Sequence, residues 1–273
     1  MELPIRGADA IEQIAVLGQR SIIDAPTADE LVRALTAADQ PAVVRGDPER
    51  GVVATVTWEG AGFVRFLAVD PAHRGAGLGR ALLGAAEDDL RAAGVSSITI
   101  GADAPYYLWP GIDARELTTV CLVERLQYAR VEVHLNMDVD LSSLPPDPGG
   151  WRIATPGDRK AVNAWAEEHW GFWRAEMLRA CDQDGLVIGE DADGIAAVCA
   201  YDVNRAGFVG PVAVRPNLMG HGVGVAPLLG ALHRMRRDGR TEAEVSWVGP
   251  VVPYARIGAT LGRSFLVYRK ELT

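Results

Sequence analysis

A glycine-rich turn at Arg74–Gly79 carries the clearest chemical signal in the sequence. It follows an apolar run, Phe66–Val69, that is typical of a buried strand and ends at Asp70–Pro71, and it precedes a helical pattern with Leu82 and Leu83 on one side. A strand, a glycine turn and a helix N-terminus leave several backbone N–H groups unpaired and pointing one way. The helix dipole favours an anion there, and the lack of side chains lets phosphate oxygens approach the amides. The pattern predicts a cradle for a pyrophosphate.

The same stretch occurs twice in the chain. Gly62-Phe63-Val64 recurs as Gly207-Phe208-Val209, and the register continues without a gap from Gly94 to its counterpart Gly239. The cradle glycines Gly75, Gly77 and Gly79 recur as Gly220, Gly222 and Gly224. Such a register indicates a duplicated domain, with a period far too long for a solenoid repeat. We predict one domain over residues 1–138, a Pro/Gly linker over 139–150 and a second domain over 151–273.

Composition excludes several functional classes. The net charge of −9 argues against nucleic-acid binding, which needs clustered Lys and Arg. Three cysteines suggest a reducing compartment, no apolar run approaches the length of a membrane span, and the N-terminus has no signal-peptide layout. We therefore expect a cytoplasmic protein without membrane contact. No His, Cys or carboxylate spacing suggests a metal site.

The elements that must position the two turns follow the same order in each half. In the first half we predict two helices, three short strands, the cradle helix, a strand, a helix near Glu116–Leu126 and a final strand at Arg130–Met137. Trp151–Ile153 restarts the order, and the second half ends with a helix at Pro253–Leu261 and a strand at Ser264–Arg269. A Rossmann loop is a poor alternative, because its G-x-G-x-x-G/A pattern would need Gly or Ala where Arg80 and Val225 stand.

This order, together with Val69-Asp70-Pro71 and Arg74-x-x-Gly77-x-Gly79, resembles the GNAT N-acetyltransferase superfamily. The resemblance implies an α/β fold of two tandem GNAT-like domains, each a mixed twisted β-sheet flanked by helices. It also implies acetyl-CoA as cosubstrate, with its pyrophosphate on the turn. Met219 stands in the second copy where the family has Arg or Gln. The cofactor-binding residues implied are Leu67, Val69, Arg74, Gly75, Gly77, Gly79, Val212, Val214, Gly220, Gly222 and Gly224.

The family's last helix commonly carries a tyrosine next to the CoA sulfur. Tyr254-Ala-Arg-Ile-Gly258 matches that motif in the second half, whereas Val123 stands at the tyrosine position in the first. The resemblance therefore implies that Tyr254 is the catalytic acid, since a neutral phenol can protonate a departing thiolate. Composition alone would favour a core position for this tyrosine.

An aromatic cluster near residue 170 occurs only in the second half. In the family this segment helps to wall the acceptor pocket, although aromatic clusters on helices are more often core. We assign Glu168, His169, Trp170 and Trp173 to substrate binding, with Glu168 and His169 as possible proton acceptors.

The predicted function is transfer of an acetyl group from acetyl-CoA to a primary amine on a small molecule or peptide, with the chemistry in the second half. Two alternatives stay open. The first half could carry the chemistry through Tyr106 or Tyr107, or both sites could have decayed into a CoA-binding regulatory or scaffold protein. The sequence leaves the acceptor and the oligomeric state open.

Overall fold

A computed structural model describes residues 8–272, with side chains from residue 10 onward. The N-terminal residues 1–7, to which the expectation about a signal peptide refers, lie outside that range. The α-helices are α1 (Ala8–Ser21), α2 (Ala28–Leu35), α3 (Leu78–Ala92), α4 (Leu117–Arg125), α5 (Arg159–His169), α6 (Arg174–Asp182), α7 (Val225–Arg237) and α8 (Val251–Ala255). Short 3-10 turns lie at Pro71–His73, Leu141–Ser143, Pro156–Asp158, Gly171–Trp173 and Pro216–Leu218.

The strands form mixed sheets, as the sequence predicts. They are β1 (Val43–Asp47), β2 (Gly51–Trp58), β3 (Ala61–Val69), β4 (Ser97–Ile100), β5 (Ile112–Asp113), β6 (Ala129–Asp140), β7 (Trp151–Ile153), β8 (Leu186–Asp191), β9 (Gly194–Tyr201), β10 (Phe208–Val214), β11 (Glu242–Val245) and β12 (Thr260–Glu271). The short β5 was not predicted and precedes the predicted helix near Glu116–Leu126. The last helix of the chain, α8, is shorter than predicted and ends at Ala255, where the chain turns toward β12.

Two compact units divide the chain. The N-terminal unit holds the residues up to His134 together with those from Ser264 on, and the C-terminal unit holds Leu135–Arg263. The units therefore exchange strand segments, which differs from a simple division at the predicted linker. The predicted boundaries at residues 138 and 150 describe the repeat in the sequence, and as boundaries of domains they stay a prediction.

In the N-terminal unit, β1, β2 and β3 pair antiparallel in that order, and β3 pairs parallel with β4. Tyr268–Glu271, from the end of β12, pairs antiparallel with β4. One apolar core lies under α3 and α4 and includes Leu83, Val123 and Tyr268. The other lies under α1 and α2.

The C-terminal unit repeats this arrangement. The strands β7, β8, β9 and β10 pair antiparallel in that order, and β10 pairs parallel with β11. Met137–Asp140, from the end of β6, pairs antiparallel with β11. One core lies under α7 and α8, and the other lies under α5 and α6. Each unit is thus a mixed sheet with helices packed on both faces.

Among the described residues, no helix is long and apolar enough to cross a membrane.

Candidate active site

The central strand of each unit separates from its parallel neighbour at the same place. Parallel pairing between β10 and β11 covers Phe208 and Val209, and pairing between β3 and β4 ends at the corresponding Val64. Beyond that point the strands splay. Arg215 N–H donates to the carbonyl of Ala196 in β9. Because backbone groups alternate sides along a strand, Val212 and Val214 direct theirs into the splay, where they can pair with an extended ligand.

The glycine turns follow these strands directly. Gly75 and Gly77 have φ of +80° and +89°, and Gly220 and Gly222 have +81° and +78°. A Cβ at any of the four would meet no atom within 4 Å, so the glycines serve the left-handed backbone and leave open space beside it.

The third glycine of each turn serves packing instead. A Cβ on Gly79 would lie 2.9 Å from Leu122 Cδ2, and one on Gly224 would lie 2.8 Å from Val214 Cγ2. These glycines let the helix start lie close to the rest of its unit. The first two glycines of each turn thus border open space for a ligand, whereas the third is required for packing.

Neither helix after a turn has a side-chain cap. Gly77 and Gly224 stand at the N-caps of α3 and α7, and no side chain accepts a hydrogen bond from either helix start. The first-turn amides and the positive end of the dipole are available to an anion. The residues at both turns fit a phosphate group.

A cleft of about 600 Å³ opens at the C-terminal turn. It is lined by Gly220, Gly222 and Gly224 of the turn and by Val212, Val214 and Leu228. Trp170 and Trp173 line one part of the cleft, and residues of α8, including Tyr254, line another. The structure thus brings together the predicted C-terminal cofactor-binding residues, the predicted acid and two of the predicted substrate residues.

Tyr254 is 8% exposed and borders this cleft. Its hydroxyl makes no hydrogen bond to the described residues. Burial raises the pKa of the Tyr254 phenol above its usual range, and the thiol of Cys199 adds to the shift. The phenol is therefore a proton donor over the physiological range.

Val123 is the structural counterpart of Tyr254 in the N-terminal unit. Tyr128 N–H donates to the Val123 carbonyl, as Ala259 N–H donates to that of Tyr254. Val123 is fully buried in the core and does not line a cleft. The N-terminal unit thus has no hydroxyl at this position.

Trp170 is fixed against the end of β10. Its indole Nε1 donates to the Val214 carbonyl at 3.0 Å, and its ring stacks on Trp173 with centroids 5.1 Å apart. Phe172 extends the cluster but is 67% exposed. Glu168 and His169 do not line the cleft. His169 packs edge-on against Trp165, and the Glu168 side chain is largely exposed.

The N-terminal unit has its own cleft of about 330 Å³ at the first turn. It is lined by all the cofactor-binding residues predicted there: Leu67, Val69, Arg74, Gly75, Gly77 and Gly79. The Arg74 guanidinium donates to the carbonyls of Val69 and Ser21, at 3.1 and 2.7 Å. These contacts use two of the five N–H donors of the guanidinium.

Three arginines that line the clefts were not predicted from the sequence. Arg80 and Arg125 line the N-terminal cleft, and Arg256 lines the C-terminal one. Arg125 and Arg256 occupy equivalent positions, two residues after Val123 and Tyr254. For Arg125 and Arg256, the recurrence of arginine two residues after the tyrosine position was a signal in the sequence that could have identified them.

A buried arginine, Arg65, lies in the middle of β3, the central strand of the N-terminal unit. Arg65 stands at the irregularity where β3 pairs with β2, and it donates to the carboxylate of Asp103, the amide oxygen of Gln40 and the carbonyl of Ala34. Burial raises the pKa of Asp103, although Arg65 opposes the shift. Only about 70 Å³ remains in the cavity beside Arg65. Little room is left there for an acceptor.

Comparison with known proteins agrees with this geometry. Residues 24–106 match the acetyltransferase (GNAT) family. The matched residues lie within the N-terminal unit. The mycothiol acetyltransferase of Geodermatophilus obscurus is 26% identical to this chain, and the alignment covers 94% of each protein.

Solved structures show that the GNAT fold extends over both units. A tandem GNAT protein from the clavulanic acid biosynthesis pathway has a TM-score of 0.71 and 17% identity, with 100% of this chain and 98% of that chain covered. A GCN5-related N-acetyltransferase from Sphaerobacter thermophilus has a TM-score of 0.73 and 22% identity, with 98% and 94% covered. A glucosamine N-acetyltransferase region of a fungal β-N-acetylglucosaminidase has a TM-score of 0.77 and 18% identity, and this chain spans 38% of that multi-domain protein. The predicted tandem GNAT fold is confirmed.

Proposed function

We propose that this protein is an N-acetyltransferase that moves the acetyl group of acetyl-CoA to a primary amine on a small molecule or peptide, with the chemistry in the C-terminal cleft. The observation that carries the proposal is that Tyr254, the open glycine turn and the splayed end of β10 line one continuous cleft. We also propose that the protein acts in the cytoplasm, as the sequence leads us to expect.

Different residues of the cleft bind the phosphate, polarise the thioester and exclude water. The turn at Gly220–Gly224 and the start of α7 hold the phosphate next to the pantetheine arm through backbone amides. Acetyl-CoA supplies the activated thioester and the thiol leaving group. Backbone N–H groups at Val212 and Val214 face the splay, where they can polarise the thioester carbonyl. Trp170 and Trp173 shield this part of the cleft from water.

Tyr254 completes the reaction by supplying a proton. A neutral amine held beside the thioester carbonyl forms the new N–C bond as the C–S bond breaks. The amine passes a proton to water, and the Tyr254 hydroxyl gives one to the departing sulfur and is reprotonated from water. Holding the amine in place contributes much of the rate enhancement.

The two alternatives have less support. Tyr106 donates to the Asp39 carboxylate at 2.6 Å, Tyr107 is buried, and neither lines a described cleft. A purely CoA-binding scaffold would not need a buried, protonated phenol facing the cleft. The C-terminal unit retains one.

Release of free CoA thiol with a panel of primary amines tests the proposal. The panel should include amino sugars, amino acids and peptides with free N-termini. We expect turnover with at least one amine, and we expect Tyr254→Phe to lower kcat by about 10²–10⁴-fold with little change in CoA affinity.

Tyr201→Phe is the matched control. Tyr201 is a buried tyrosine of the same core, but its hydroxyl donates to the Asp184 carbonyl away from the cleft. It should retain nearly full kcat. Full activity of Tyr254→Phe, or no turnover with any amine, would contradict the proposal.

A further inference from the structure

The two clefts of the chain differ in charge at corresponding positions. The N-terminal cleft is lined by Arg74, Arg80 and Arg125. The repeat places Met219 and Val225 at the positions of Arg74 and Arg80, and only the third position keeps a cation, Arg256. The cleft to which we assign the chemistry therefore has apolar side chains where the N-terminal cleft has two arginines.

The remainder of the C-terminal cleft is also apolar. Among the described residues that line it, Arg256 is the single charged one. Met219 and Val252 line the cleft and are 53% and 60% exposed, so its opening to solvent is bordered by apolar groups. These side chains offer no hydrogen bond to a phosphate.

The glycine turn can still hold a single phosphate. Its amides are neutral donors, and the open space at Gly220 and Gly222 admits phosphate oxygens. Further phosphates of a nucleotide would need cations at the mouth, because charged donors make the strong phosphate contacts. The apolar interior suits the uncharged pantetheine arm, whose amides can pair with the backbone of Val212 and the N–H of Val214.

We propose that the C-terminal cleft recognises its donor as an acyl-4′-phosphopantetheine thioester, and that the adenosine part of CoA adds little to binding. This inference rests on the proposed function for its catalytic consequence. In the reaction, the acetyl carbon leaves the pantetheine sulfur and bonds to the amine nitrogen. The sulfur gains a proton and the amine loses one, so truncation of the nucleotide changes no bond that reacts.

Calorimetry on the full chain tests the proposal without any amine. The titrated protein is the Gly77→Val variant, in which the added side chain would enter the N-terminal cleft and block it. Binding measured in this variant therefore reports the C-terminal cleft. The dissociation constant of 4′-phosphopantetheine should lie within about tenfold of that of CoA. A CoA affinity more than tenfold tighter overturns the proposal.

A second test adds a positive charge to the C-terminal cleft at Val225 and compares it with an uncharged substitution at the same position. Val225→Arg restores the cation found at Arg80 and should tighten CoA by about tenfold while leaving 4′-phosphopantetheine unchanged, since tenfold corresponds to one modest charged contact. Val225→Leu should change neither ligand. Equal tightening of both ligands by Val225→Arg would contradict the inference.

Kinetics separates this inference from the proposed function. With an amine that turns over, kcat/KM for S-acetyl-4′-phosphopantetheine should lie within about tenfold of that for acetyl-CoA. Turnover with acetyl-CoA alone overturns the donor inference and leaves the proposed function standing. Absence of turnover with both donors contradicts the proposed function, while the calorimetric comparison still decides the donor inference.

Discussion

At the scale of single residues, the proposed chemistry depends on how burial sets the state of one phenol. Tyr254 lies in the core between Cys199 and the cleft, and low polarity around it disfavours the phenolate. The raised pKa keeps the proton on the hydroxyl in solutions where an exposed tyrosine would begin to ionise. The residue thus remains an acid under the alkaline conditions that make the amine a nucleophile.

This state gives a distinctive pH profile. We expect kcat/KM to rise as the amine loses its proton and then to stay level through about pH 10, the usual pKa of tyrosine. The sign follows from the raised pKa, because the neutral form persists to higher pH. A steady-state pH series on wild type and Tyr254→Phe measures this. A falling limb below pH 10 that disappears in Tyr254→Phe would show an ordinary phenol and contradict the account.

At the scale of elements, helix α6 is tied to the loop before β10 by a buried carboxyl group. Glu176 accepts a hydrogen bond from Asn204 Nδ2 at 2.8 Å, and Arg179 on the same helix donates to Asn204 Oδ1 at 2.6 Å. Burial raises the pKa of Glu176 to about 7, and the charge of Arg179 opposes the shift. Deprotonation of Glu176 therefore leaves a negative charge in the core, beside the segment that carries Trp170 and Trp173.

The stability of the C-terminal unit should consequently fall as pH rises. Because the folded pKa is raised, the stabilisation is complete below the unfolded pKa of 4.5 and is lost as pH rises through about 7. Glu176→Gln should raise the free energy of unfolding by about 1–3 kcal/mol at pH 8 and change it little at pH 4. Denaturant unfolding at both pH values measures the difference, with exposed Glu167→Gln as the control. An equal effect of Glu176→Gln at both pH values would argue against the titration.

At the scale of the whole molecule, the strand exchange joins two units that the sequence presents as separate. Tyr268 and Leu272 complete the N-terminal core, and Met137 and Val139 belong to the C-terminal core. Tyr268 also donates to Glu124, and Lys270 lies 2.9 Å from Glu87. Each unit therefore takes part of its core from beyond the predicted domain boundary.

Fragments test this exchange. A fragment of residues 1–138 lacks the strand that pairs with β4, so we expect weak near-UV circular dichroism and little cooperative unfolding. Residues 264–272 appended through a flexible linker should restore both. A scrambled sequence of the same composition is the control. A cooperatively folded 1–138 fragment without the appended strand would contradict the exchange.

Much of the fold and of the site could be predicted, for identifiable reasons. The strand, glycine turn and helix at Phe66–Leu83 are local in sequence, and their repetition at Gly207–Gly239 supplied an internal alignment. The exchange of β6 and β12 could not be predicted, because either strand offers a suitable partner to β4 or β11 by pattern alone. The contacts of Arg74 with two carbonyls, and the placement of Glu168 and His169 away from the cleft, depend on side-chain directions that spacing does not fix.

The central claim is that the C-terminal cleft carries the chemistry, and a matched pair of glycine substitutions tests it most directly. Gly77 and Gly222 are equivalent, both have positive φ, and a side chain on either would enter open space at its cleft. The two substitutions by valine should therefore strain the backbone to a similar extent. The measurement is kcat/KM for acetyl-CoA in Gly77→Val and Gly222→Val, each checked for wild-type circular dichroism. The account predicts that Gly222→Val abolishes turnover and that Gly77→Val retains most of it, whereas the opposite result would place the active site in the N-terminal unit.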